Sequence, residues 1–295
     1  MIPANVFERI LVGVDADGLA SHALVRALQL ARTLEAHVDV VHAVELPDHG
    51  PFHEPAARAD EAATLARARE HVVGHVALAC REVGYAEREP GDLVRVTPGH
   101  APRVLIEAAE QLGADLVVLG THARRSMLDF GSTTRAVLAR TQTPLWVQRE
   151  KVSAVRSVLA PIDGSEHSRR ALGFADALAA RVGASVRVLH CIPSAVAEAS
   201  ALAGDARALA RRRVQEWLAD FAWRTSGATI DVVVGQAREA IRSASEEADL
   251  VVLGTHGRTG LSRTLLGSVA YGVLAEAHRP ALVVPDAERT WLLGG

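Results

Sequence analysis

Short, nearly continuous apolar runs alternate along the chain with segments in which apolar residues return every three or four positions. In the second half, residues 157–162 form such a run, as a parallel strand covered on both faces would. DGSEHS follows, with Ser165 placed to cap a helix on which Ala171, Leu172, Ala175 and Leu178 recur at helical spacing, and Gly183 closes it. Residues 185–191 predict the next strand. Residues 205–223 predict a helix with Leu209, Val214, Trp217, Leu218 and Phe221 on its apolar side. A strand at 230–235, a helix at 237–247, a strand at 249–254, a glycine-rich loop, a helix from Gly267 and a strand at 281–285 complete the pattern. Strands alternating with helices imply right-handed crossovers and a doubly wound parallel sheet, an α/β architecture.

The pattern occurs twice. ADLVVLGTH stands at residues 114–122 and again, identically, at 248–256. The correspondence continues through Arg124 and Arg258, Gly-Ser at 131–132 and 267–268, Val-Leu-Ala at 137–139 and 273–275, and Pro144 and Pro280. Upstream, ILVGVD ending at Asp15 matches VLAPID ending at Asp163, and DVVHA ending at Ala43 matches RVLHC ending at Cys191. Two copies of one fold follow, residues 1–150 and 151–295, and the first carries an additional stretch in which residues 58–83 predict one long amphipathic helix.

Composition narrows the chemistry. The 295 residues are 49% apolar and 23% charged, enough for two buried cores. No apolar run approaches the ~20 residues of a membrane span, and the first residues lack a secretory pattern, so a cytoplasmic protein without membrane contact is expected. Cys80 and Cys191 are far apart and form no CxxC, which argues against disulfide and zinc frameworks. Of 32 basic residues only Lys151 is a lysine, so a Walker-type GxxxxGK[ST] loop is impossible. A net charge of −3 without a basic block argues against nucleic-acid binding; the densest basic stretch, Arg211 to Arg213, reads as a solvated helix face.

In an open parallel sheet, ligands bind beyond the carboxyl ends of strands where the strand order reverses. That rule selects Asp163, Cys191, Gly235 and the run GTHGRTGLSRTLLGS from Gly254 to Ser268. Glycines remove side chains where backbone must approach a ligand, and Gly267-Ser268 opens a helix whose amides and dipole favour an anion. Each residue also has a plainer reading. Asp163 could cap a helix, Gly254 and Gly257 could simply turn the chain, and Ser268 could cap its own helix. Arg258 and Arg263 could face phosphate or solvent, His256 reads as structural, and His190 as packed in the core.

Gly254-x2-Gly257-x9-Gly267-Ser268, with an aspartate after the first strand, resembles the motif of the ATP-binding universal stress proteins, and the resemblance covers nearly the whole chain as a tandem of two domains. It implies a five-stranded parallel sheet in the order 3-2-1-4-5 in each half, with ATP between the loops after the first and fourth strands. Asp163 would meet adenine, Cys191 would border the base through its backbone, and the glycines and Ser268 would hold ribose and phosphates, with Mg or Mn accompanying the ATP. Pro161, Leu253, Arg258 and Val269 complete the candidate binding set. The family commonly pairs through its last strands, here residues 144–149 and 280–285, so intramolecular pairing of the two domains and further homodimerisation are expected.

The first half departs from this motif. Alanine replaces the second glycine at Ala123, and only seven residues, against nine, separate it from Gly131. Gly13 stands where the second half has Pro161. Asp15, Ala43, Gly120, Gly131 and Ser132 remain as weaker equivalents, and weak or absent nucleotide binding is expected there. His71 and His75 have metal-ligand spacing but no third ligand, and no GxSxG elbow appears. No residue is assigned as a base to activate water, so a regulatory ATP-binding role is favoured over a slow ATPase or a nucleotide-independent interaction module.

Overall fold

The computed structural model describes residues 6–15, 21–46, 55–121, 131–149, 154–201, 206–255, 267–276 and 278–286. Two compact units divide the chain, one built on Phe7–Arg125 and Phe130–Lys151, the other on Val152–Gly295.

In the first unit the elements run β1 (Arg9–Gly13), α1 (Ser21–Leu34), β2 (His37–Val44), α2 (Pro55–Val83), α3 (Pro90–Leu93), β3 (Val94–Pro98), α4 (Ala101–Gln111), β4 (Leu116–Gly120), α5 (Ser132–Leu138) and β5 (Leu145–Gln148). All neighbouring strands are parallel, in the order β3-β2-β1-β4-β5. The second unit repeats it with β6 (Ser157–Ile162), α6 (Glu166–Val182), β7 (Ser185–Ile192), α7 (Ser194–Ala201), α8 (Ala206–Trp217), β8 (Ala228–Val234), α9 (Ala237–Ser245), β9 (Leu250–Gly254), α10 (Ser268–Glu276) and β10 (Ala281–Val284). Its order is β8-β7-β6-β9-β10, again parallel. Each half therefore has the 3-2-1-4-5 order expected of it. The strand order reverses beside β1 and beside β6, which places a crevice at the carboxyl end of each.

Central strands are buried on both faces. Ile10, Leu11 and Val12 of β1 and Val158 and Leu159 of β6 are fully buried, which explains runs without alternation. Against β6 and β9 lies α6, burying Ala171, Leu172, Ala175 and Leu178. Its ends follow the sequence: Ser165 Oγ accepts from the Ser168 amide at 3.2 Å, and Gly183 takes the left-handed φ of 70° that favours glycine at a helix end.

Three elements differ from the sequence pattern. The helix expected over 205–223 ends at Trp217, because partners on α6 capture the chain beyond it. The Arg169 guanidinium donates to the Trp217 carbonyl at 2.7 Å and lies over the Trp217 and Phe221 rings. Buried Asp176 then accepts from the Arg224 amide at 2.7 Å and from the Thr225 amide and hydroxyl at 3.1 and 2.6 Å. Leu209, assigned to the apolar face, is 43% exposed. The short helices α3 and α7 were not evident in the periodicity. On α2, the His71 and His75 rings meet edge-on at 4.5 Å, and no group of three metal-ligating side chains is found among the described residues. No described helix is long and apolar enough to cross a membrane.

The aspartates of the repeated ADLVVLG segment work at the amino end of the sheet, away from the crevices. Asp115 accepts from the Glu8 amide at 2.8 Å and the Arg9 amide at 3.0 Å, and Asp249 accepts from the Arg156 and Ser157 amides at 2.9 and 3.0 Å. Each ties the start of the fourth strand to the start of the first. Burial pushes the Asp115 carboxyl up to about 6, against the opposing pull of the Glu8 and Arg9 amides. A folded value raised above the unfolded one means that Asp115 contributes most stability below about pH 4 and loses it as pH rises through 6. The stability difference between wild type and Asp115→Asn is therefore expected to shrink between pH 4 and pH 7, by no more than about 3 kcal/mol, the equivalent of two pKa units. Urea unfolding at both pH values measures it; a difference that grows with pH contradicts the assignment.

Candidate functional site

At the carboxyl edge of the second sheet, the chain leaves β6 through a turn built by Asp163. Its Oδ1 accepts from the Ser165 amide at 3.0 Å and the Ser165 hydroxyl at 2.5 Å, while Ser165 itself caps α6. Asp163 thus braces the cap residue rather than capping the helix directly. One strand over, His190 places Nδ1 3.0 Å from the carbonyl of Ile162, the residue preceding Asp163. The first half repeats this bond: His42 Nδ1 lies 2.9 Å from the carbonyl of Val14, which precedes Asp15. Neither histidine was singled out for this by the sequence, although both occupy the same position of the repeat, and His190 is half-buried rather than enclosed in the core.

Cys191 and the residues flanking Asp163 come together in a cleft of about 390 Å³ beyond β6 and β7, walled by α7 and α8. Ile162, Val196, Leu209 and Trp217 make most of it apolar, and Val196 and Leu209 are 52% and 43% exposed. Burial pushes the Cys191 thiol up to about 11, so thiolate is scarce at neutral pH and a nucleophilic role is disfavoured.

The glycine-serine elements stand on the other side of β6, at the junction of β9 and α10. Gly254 is half-buried, and a Cβ built on it would lie 3.2 Å from the His167 carbonyl oxygen of α6, so this glycine also permits close packing of helix on strand. His167 in turn pairs through Nδ1 with Asp286 Oδ1 at 2.6 Å, just beyond β10. The Gly267 amide donates to the Thr255 carbonyl at 2.8 Å and joins the two bases of the intervening loop. Its N–H is therefore engaged within the protein, and the first-turn amides of α10 that favour an anion are those of Ser268, Val269 and Ala270. Val269 is 38% exposed, Leu253 is buried in β9, and Pro161 is half-buried in β6 opposite Leu189. Gly257 and Arg258, like His256 and Arg263, lie outside the described residues.

In the first half, Asp15, Ala43 and Gly120 line a smaller cleft of about 150 Å³ with Gly13, His42, Leu105, Leu119 and Thr133. Leu119 and Leu105 close over Gly13: a Cβ there would fall 2.6 Å from a Leu119 methyl. Gly131 precedes α5 with a φ of 90°, and Ser132 is exposed at the start of that helix. The two copies keep the turn-bracing histidine, while the two clefts lie against different helices, α4 and α5 in the first half and α7 and α8 in the second.

Two parallel sheets with reversal points beside their first strands, each with a cleft at that edge, define a tandem doubly wound α/β protein. The chain belongs to the universal stress protein family, whose model matches residues 7–149 and again 154–285. It is 32% identical over 230 residues to a universal stress protein of Mycobacterium tuberculosis, covering 73% of this chain and 76% of that one. A second relative, from Mycolicibacterium smegmatis, is 26% identical over 317 residues, covering 96% and 99%. The fold is also that of a universal stress protein from Archaeoglobus fulgidus, with a TM-score of 0.63 at 16% identity, covering 98% of this chain and 99% of that one. A Pseudomonas aeruginosa structure of the same family gives 0.67 at 21% identity, covering 96% and 94%.

Proposed function

We propose that this universal stress protein binds ATP as a regulatory ligand, and that the second half supplies the site. One observation carries the reading: the only complete G-x2-G-x9-G-[ST] spacing in the chain begins at Gly254, on the strand beside β6, whose Asp163 turn adjoins the larger cleft. A cleft of about 390 Å³ falls in the range of small-ligand pockets, roughly 300–1,000 Å³. Cys191 borders the base there, Asp163 meets adenine, and the first-turn amides of α10 with the Ser268 hydroxyl take the phosphates. A Mg or Mn ion accompanying the nucleotide would supply the charge neutralisation that a Walker lysine gives elsewhere. The first half, with alanine at 123 and two fewer residues before Gly131, binds ATP weakly or not at all.

The two domains, residues 1–150 and 151–295, form an internal pseudo-dimer in this reading, in the cytoplasm, with homodimerisation as a further level. Releasing and counting the nucleotide that copurifies with the folded protein tests the ligand and the inequality together. One adenine nucleotide per chain is expected. Two equivalent sites would refute the inequality, and no affinity for ATP at millimolar concentration with magnesium would favour a nucleotide-independent interaction module. Phosphate release that is abolished by Ser268→Ala would instead establish the slow ATPase.

A further inference from the structure

The long helix of the first half carries two side chains that neither crevice uses. His71 and His75 stand one turn apart on α2, a spacing that sets both rings on one face of the helix. Their rings meet edge-on with centroids 4.5 Å apart. Two imidazoles that share one ion at a metal–nitrogen distance of about 2 Å hold their centroids about 5 Å apart, so this pair needs only a small rotation to chelate. Among the described residues each ring touches the other and has no hydrogen-bond or ion-pair partner, which leaves ring nitrogens available as ligands. The space beside them is open: His71 is exposed, His75 is half-buried, and a Cβ on Gly74 would meet nothing within 4 Å. Beneath them the helix is anchored. Val72 and Val76 are fully buried, and the Arg69 guanidinium donates to the Val94 and Gly91 carbonyls at 2.6 and 2.7 Å. Arg67, one turn before His71, is engaged with the Thr64 hydroxyl at 3.2 Å.

We propose that His71 and His75 form a two-imidazole site for a divalent transition ion of the zinc and copper(II) class. Imidazole nitrogen suits these borderline ions, whereas magnesium and calcium prefer oxygen. No third His, Cys, Asp or Glu joins the pair among the described residues, so the remaining coordination positions fall to water or to a donor brought by another molecule. An ion held across one turn also ties residue 71 to residue 75 and stiffens α2 between them. The site is independent of the nucleotide reading. No α2 residue lines the first-half cleft, and the corresponding helix of the second half, α8 with the sequence ARALARRRVQEW, contains no histidine. The pair therefore belongs to the longer helix of the first half alone.

Titration of the metal-free, tag-free full chain with zinc chloride against a chelating dye, without nucleotide, tests it. Wild type is expected to bind one zinc ion per chain at the pair. Copper(II) should bind more tightly, as the order of divalent affinities requires, and millimolar magnesium should not compete. His71→Ala and His75→Ala each leave a single imidazole and should weaken zinc binding roughly a hundredfold, because the second arm otherwise binds at the high effective concentration that the helix sets. Amide hydrogen exchange over residues 71–75 should slow with zinc in wild type and in neither variant. Zinc affinity equal to wild type in either variant overturns the proposal, since the ion then sits on other side chains. Failure of wild type to bind zinc at submillimolar concentration overturns it as well. Should His75→Ala not fold, His71→Ala, at an exposed position, decides alone through the same two measurements.

Discussion

Gly257→Val is expected to lower ATP affinity at least about a hundredfold, equivalent to two charge-assisted hydrogen bonds to phosphate, while leaving the unfolding midpoint close to that of wild type. The asymmetry follows from how this chain must hold a triphosphate. With Lys151 its only lysine, and that residue outside the loop, phosphate contacts fall to backbone amides, the Ser268 hydroxyl, arginines and a metal ion. Amides reach phosphate oxygens only where no side chain intervenes, and a β-branched residue at the second glycine both fills that space and restricts the backbone. The first half already carries a milder form of this change, alanine at 123 with a loop two residues shorter, which is why one nucleotide per chain is the expected count. Titration of wild type and variant side by side decides the matter. A variant that binds ATP as wild type does would refute the role given to the glycine spacing.

The sheet was legible in the sequence because its strands are buried on both faces and announce themselves as uninterrupted apolar runs; β6 occupies the residues read for it, 157–162. The cap at Ser165 and the stop at Gly183 were legible for a similar reason, since both are local backbone chemistry. Where the reading failed, residues distant in sequence had intervened. Apolar spacing continues beyond Trp217, but Arg169 and Asp176 on α6 hold the chain there, and nothing near residue 217 encodes that capture. The site shows the same division. Glycine spacing pointed to the β9–α10 junction, whereas the engagement of the Gly267 amide by Thr255 and the bond of His190 to Ile162 required the strands to be placed side by side. His190 reads as a core residue from its place near the end of a buried strand, but it is half-buried and lines the cleft that α7 and α8 wall.

Gly254→Val should behave unlike Gly257→Val, destabilising the second domain by about 1–3 kcal/mol and weakening ATP binding with it. A Cβ on Gly254 would stand 3.2 Å from the His167 carbonyl oxygen and 3.3 Å from its carbonyl carbon, so the obstacle is backbone rather than a side chain that could swing aside. The helix carrying that backbone is not free to retreat. Ala171, Leu172, Ala175 and Leu178 are fully buried beneath it, and His167 is tied at 2.6 Å to Asp286 beyond β10. Two further methyl groups must therefore displace either β9 or the first turn of α6, and that turn is capped by Ser165, the residue Asp163 braces at 2.5 Å. Strain introduced at a packing glycine is transmitted in this way to the turn assigned to the base, whereas Gly257→Val, between β9 and α10 in the sequence, is expected to leave α6 in place. Urea unfolding paired with ATP titration separates the two mechanisms, with Gly254→Ala expected to fall between wild type and valine in both measurements. If Gly254→Val unfolded at the wild-type urea concentration yet lost ATP, the glycine would be a ligand contact alone, and the packing role assigned to it against His167 would be wrong.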